Sequence, residues 1–128
     1  YYTAITTTHG GYLPDKKMSI ARAVWRLDGM VSLHSGSSIG EVETVPILPE
    51  GINLFVNADV TKGKLLVEVL NLNREVIQGY EKYDCEILRM NSVKQLVKWK
   101  NSEILPQGKP ICLKFYLENG DLYSYVIE

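Results

Sequence analysis

Apolar and polar positions alternate along most of this chain, and a helical period is hard to find. In "INLFVNADV", Ile52, Leu54 and Val56 fall on one side and Asn53 and Asn57 on the other, with Phe55 between them. "KLLVEVL" sets Leu65, Val67 and Val69 against Leu66, Glu68 and Leu70. "SVKQLVKW" sets Val93, Val97 and Trp99 against Lys94, Leu96 and Lys98. "PICLKFYLE" sets Ile111, Leu113, Phe115 and Leu117 against Cys112, Lys114, Tyr116 and Glu118. A period of two belongs to strands buried on one side. The pattern predicts strands over 19–27, 30–34, 41–48, 52–58, 64–71, 74–78, 84–88, 93–99, 110–118 and 121–127.

Turn residues separate these runs at Asp28-Gly29, Ser35-Gly36, Pro49-Glu50-Gly51, Lys62-Gly63, Gln107-Gly108 and Asn119-Gly120. Asn119-Gly120 is the strongest signal, because both residues tolerate the positive φ of a two-residue hairpin turn. Strands 110–118 and 121–127 are therefore expected to pair antiparallel. Many short strands at this spacing predict an all-β fold, an antiparallel β-sandwich of the jelly-roll kind. Residues 1–17, rich in Thr and Gly, read as a lead-in strand or linker, and 18–128 as the sandwich domain.

Composition narrows the function. The 128 residues carry 14 basic and 15 acidic side chains, a net charge of -1, with no excess of cations to neutralise phosphates. Nucleic acid is not an expected partner. No apolar run approaches the ~20 residues of a membrane helix, so a membrane is not expected either. The first residues lack the charged start and apolar centre of a signal peptide, and the missing Met gives the chain the look of an excised piece. Cys85 and Cys112 could form one bridge or remain free thiols.

Catalytic signatures are weak. His34 stands among Ser32, Ser35, Ser37 and Ser38, and His9 lies in the lead-in, but no nucleophile-elbow spacing accompanies either. Asp15, Asp28, Asp59, Asp84 and Asp121 lie in or near turns, where oxygens could collect around a structural calcium, though without EF-hand spacing. No cofactor is expected beyond that calcium. Aromatic rings are the more informative class: sugars stack on Trp and Tyr while their hydroxyls take polar partners. Trp99 shares the register of Val93 and Val97 and reads as core, whereas Trp25 has an ambiguous face. Tyr116 shares a polar register with Lys114 and Glu118, and Tyr80 and Tyr83 lie in the loop-like "QGYEKYDCE". Tyr123 and Tyr125 alternate with Leu122, Ser124 and Val126 and read as core or inter-sheet rings.

The order of "IARAVWRLDGMVSL", "GKLLVEVLNLNREVIQGYEKYDCEIL", "VKWKNSEIL" and "GKPICLKFYLENGDLYSYVI" resembles the C-terminal β-sandwich appended to five-bladed β-propeller glycoside hydrolases. These are relatives of the family 32 and 43 enzymes of environmental and gut bacteria. The residues carrying the likeness are Arg26-Leu27-Asp28-Gly29, Val67-Glu68-Val69, Gly79-Tyr80 through Asp84-Cys85, Val97-Lys98-Trp99 and Leu122-Tyr123-Ser124-Tyr125. Met30, Lys114 and Asn119-Gly120 depart from the usual pattern. The resemblance implies that Tyr1-Tyr2 continues a propeller, that the catalytic carboxylates lie on that propeller, and that this chain is no enzyme by itself.

The expected function is a non-catalytic carbohydrate-binding module, accessory to a glycoside hydrolase domain of the same parent chain. A polysaccharide or oligosaccharide is the expected partner, outside the cytoplasm, extracellular or periplasmic. Trp25, Tyr80, Tyr83 and Tyr116 would stack on sugar. Asn53, Asn57, Arg22, Glu68 and Lys114 would supply polar contacts. The alternative is a structural sandwich that packs against and stabilises the neighbouring catalytic propeller, with no ligand of its own. Leu66, Leu70 and Leu96, apolar residues on polar registers, favour it.

Overall fold

The strands expected from alternation form where a second strand can face them and shrink where none can. A computed structural model describes residues 1–8, 10, 14 and 16–128; His9 and Asp15 lie outside the described residues. The strands are β1 (Tyr2–Ile5), β2 (Met18–Ala21), β3 (Leu33–Ser35), β4 (Gly40–Glu43), β5 (Leu54–Asp59), β6 (Lys64–Leu70), β7 (Asn91–Leu96), β8 (Cys112–Glu118) and β9 (Gly120–Ile127). β1 and β2 make a separate antiparallel ribbon. The other strands form a four-stranded sheet, β3-β9-β5-β7, and a three-stranded sheet, β4-β8-β6, all pairs antiparallel. The chain is an all-β sandwich. Among the described residues it has seven sandwich strands, one fewer than the eight of a complete jelly roll.

Every connection from β3 to β9 passes from one sheet to the other. The core therefore lies between sheets and draws alternate residues from each. Leu54, Val56 and Ala58 of β5 meet Leu65, Val67 and Val69 of β6 and Leu113, Phe115 and Leu117 of β8, all nearly or fully buried. Trp99 is buried as expected, its indole N–H donating to the Val67 carbonyl at 3.0 Å. Cys85 and Cys112 are free, buried thiols, and desolvation pushes the Cys85 thiol up to about 11.

The Asn119-Gly120 hairpin is not formed. β8 and β9 belong to different sheets, so this turn is a crossover rather than a two-residue hairpin. Asn119 alone takes the left-handed backbone, at φ 46°, and Gly120 already belongs to β9. Close packing explains the glycine: a Cβ there would lie 2.6 Å from the Val60 Cγ1 and 2.7 Å from the Asp59 carbonyl oxygen. Positive-φ tolerance marked the turn correctly but could not say which sheet each arm would join.

Other strands are shorter than expected. The strand predicted over 19–27 stops at Ala21, which pairs with Tyr2, the first residue of β1. The strand predicted over 74–78 is pre-empted by a turn over 71–75, in which the Asn71 Oδ1 accepts the backbone N–H groups of Asn73 and Glu75. Val76 makes only a single bridge to Leu70. Residues 84–88 likewise contribute only the bridges Cys85 to Trp99 and Leu88 to Leu65. Ile52 and Val93, expected on core registers, are exposed.

Candidate functional site

The outward side of the three-stranded sheet carries Leu66 and Glu68 of β6 directly opposite Tyr116 and Lys114 of β8. The segment after Tyr80 folds over this side, and the Lys82 N–H donates to the Glu68 Oε1 at 3.1 Å. The Tyr116 hydroxyl donates to the other carboxylate oxygen at 2.5 Å. Glu68 and Tyr116 are consequently buried, which corrects the expectation of an exposed ring and an exposed acid. Burial, then the Glu68 hydrogen bond, raises the Tyr116 hydroxyl above its ordinary value. Lys114 pairs with Glu41 at 2.8 Å, a bond that raises the lysine and lowers the glutamate.

Beside this network lies a cleft of about 180 Å³, lined by Lys64, Leu66, Lys82, Tyr83, Tyr116 and Glu118, with Ile39 at its edge. Lys64 and Glu118 form an ion pair at 2.9 Å. The Lys82 Nζ stands 4.6 Å from the Tyr116 ring centre and 5.2 Å from that of Tyr83. Tyr83 itself is 78% exposed. Tyr83, Tyr116, Glu68 and Lys114 thus come together, and Lys64, Lys82 and Glu118 join them. Lys82 was legible only as the neighbour of Tyr83; nothing along the chain told that it would reach Tyr116.

The remaining candidates lie elsewhere. Tyr80 is half-buried, set edge-on to Trp99 at 5.1 Å, and its hydroxyl donates to the Ile104 carbonyl at 2.9 Å. Asn53 lies near the far end of β5's sheet, where its amide donates to the Glu103 carbonyl at 3.0 Å. Asn57, expected on a solvent face, is buried: it donates to the Leu27 carbonyl and accepts from the Arg26 Nε. Arg22 and Trp25 are exposed in the segment after β2. These five residues do not share a surface with the cleft.

Arg26 explains the "RLDG" motif. Its guanidinium also donates to the Asn91 side chain and to the carbonyls of Ala58, at 3.0 Å, and Ser92, and it lies over the Tyr123 ring at 4.7 Å. Asp28, at φ 52°, accepts the Ser124 hydroxyl at 2.9 Å. The motif clamps the 22–32 segment onto the four-stranded sheet, so its role is architectural.

The serine-rich strand end does not make a triad. The Ser32 hydroxyl donates to the Asp121 Oδ1 at 2.9 Å, and the His34 Nδ1 meets the same oxygen at 3.1 Å. The hydroxyl is directed at the carboxylate, not at the imidazole that would have to take its proton. The turn carboxylates bind protein donors: Asp59 accepts from Thr61 and Asn91, and Asp84 from Lys100. Among the described residues no three metal-ligating side chains converge.

Many of the exposed large apolar side chains lie between Tyr1 and Leu33. Tyr1, Met18 and Ile20 on the ribbon are largely exposed, and so are Trp25, Met30 and Val31 in the clamped segment. Val31 and Leu33 continue into an open cleft of about 480 Å³ between the sheets, floored by Val42, Phe115, Leu122 and Tyr125. Beyond Leu122, among the described residues, β9 has a strand on one edge only, because β3 pairs with it just over Gly120–Leu122. Tyr125, expected as a core or inter-sheet ring, is 38% exposed and lies between the sheets, its ring 5.6 Å from that of Phe115 on the opposite sheet. No family model, no curated protein and no solved structure matches the chain.

Proposed function

We propose that this chain is a non-catalytic accessory β-sandwich that packs against a neighbouring catalytic domain, of the propeller glycoside hydrolase kind its motifs resemble. The observation that carries this reading is the run of exposed large apolar side chains from Tyr1 to Leu33. An isolated two-stranded ribbon is marginal in water. Fully burying each such side chain is worth roughly 1.5–3 kcal/mol, so a handful of them outweighs any surface ion pair on this chain. A partner sheet laid on the ribbon and the 22–33 segment would supply that burial. Light scattering tests the reading: the isolated chain should self-associate at micromolar concentration, and Trp25→Ser with Met30→Ser should restore a monomer. An isolated chain that stays monomeric and binds no apolar dye would sink it.

A second reading is favoured by the cleft at Tyr83. One exposed ring, a floor of Leu66 and Tyr116, and several charged groups form a small sugar-sized site. Glycan binding there would be weak, since sugar hydroxyls surrender good hydration for modest net gain. Titration against a panel of fructans, xylans, arabinans, alginate and β-glucans checks it, and silence across the panel would remove it.

A further inference from the structure

The charges around the Tyr83 cleft are unequally satisfied. Lys64 is neutralised by Glu118 and Lys114 by Glu41. Glu68, beneath the cleft, is closed off by the Lys82 backbone N–H and the Tyr116 hydroxyl. Among the described residues no carboxylate forms an ion pair with the Lys82 ammonium. It is held instead between the rings of Tyr83 and Tyr116. Aromatic faces position a cation without neutralising it, so the charge stays available to an anion. The cleft wall carries the Lys64 and Lys82 ammonium groups and the Glu118 carboxylate. The Glu41 carboxylate, within electrostatic reach of Lys82, is itself paired with Lys114, so among the described residues Lys82 is the cation of this cleft with no direct carboxylate contact. The cleft's volume of about 180 Å³ suits a single sugar ring rather than a chain of them.

We propose that this cleft binds an acidic sugar residue, with Lys82 as the partner of its carboxylate or sulfate and Tyr83 as the stacking face. The inference rests on the glycan reading and specifies its substrate class. A charge-assisted contact to a half-buried lysine such as Lys82 is worth enough to change affinity about tenfold. Neutral sugars lack that contact and would leave the ammonium to water.

Isothermal titration of the whole chain tests the proposal with three oligosaccharides of equal length: an oligogalacturonide, a sulfated galactooligosaccharide and its neutral counterpart. At least one acidic oligomer should bind about tenfold more tightly than the neutral one, and which of the two does so distinguishes carboxylate from sulfate recognition. Lys82→Met, which keeps the aliphatic stem, should abolish that preference with an unchanged circular dichroism spectrum. Lys109→Met, at an exposed lysine outside the cleft, should not. Equal binding of neutral and acidic oligomers would overturn the acidic preference while leaving glycan binding standing. Absence of binding to all of them would overturn both, and an acidic preference that survives Lys82→Met would overturn the assignment of Lys82.

Discussion

At the scale of single residues, Arg26 does more for this molecule than any of the tyrosines first considered as ligands. Its planar fork reaches two amide side chains and two backbone carbonyls of the four-stranded sheet. Removing it leaves the buried Asn57 short of its strongest partner, and an unsatisfied buried polar group costs about 1–3 kcal/mol. Arg26→Ala should therefore lower the unfolding free energy by roughly 2–3 kcal/mol in urea titration. Arg26→Lys should recover little, because one ammonium cannot replace a fork. A loss within about 0.5 kcal/mol would show that the clamp is not needed. The sequence contained the clue in Asn57, a polar residue between buried Val56 and Ala58, yet alternation assigns such a residue to solvent. Its partner lies 31 positions away, and no local pattern reveals so distant a bond. Glu68 misleads for the same reason: the chain segment that covers it comes from residues 81–83.

At the scale of elements, alternation located the central strands well and their sheet partners poorly. β5, β6, β8 and β9 fall close to their expected ranges because each has a core on one side and a ladder on at least one edge. The register of β9 could not be read. Ala58 pairs with Leu122 and Asn57 with Ser124, so Tyr123 is an extra residue on β9. This bulge returns Leu122 and Tyr125 to the core-facing side and sends Tyr123 outward under Arg26. Two tyrosines that strict alternation places on one face thus separate. The crossovers depend on close backbone approach, most severely at Gly63, where a Cβ would fall 1.7 Å from the Glu118 carbonyl oxygen. Gly63→Ala must displace β8 or the β5–β6 turn and should cost more than about 3 kcal/mol in denaturant titration. Gly36, with nothing within 4 Å of a built Cβ, is the control. Gly36→Ala should stay within about 0.5 kcal/mol. Equal effects of the two would contradict the proposed crowding.

At the scale of the whole molecule, two zones differ in how they are held. The sandwich has a shared core drawn from both sheets and clamped by Arg26. Among the described residues the ribbon is paired by its own ladder, Tyr2 to Ala21 through Ile5 to Met18 with Thr6 bonded to Lys17 beyond it, and belongs to neither sheet. Its exposed apolar residues gain nothing from the sandwich, so its opening should not require the sandwich to unfold. Hydrogen exchange on the isolated chain should show amides of Tyr2–Ile5 and Met18–Ala21 protected less than about tenfold, while those of β5, β6 and β8 report global unfolding. Deleting residues 1–21 should change the sandwich's unfolding free energy by less than about 1 kcal/mol, since Arg26 and its acceptors all survive. The same deletion should reduce self-association, because it removes Tyr1, Met18 and Ile20 from the surface. If the truncated chain instead unfolds or loses cooperativity, the ribbon is part of the sandwich's own stability. The apolar surface would then be serving this domain rather than a neighbour.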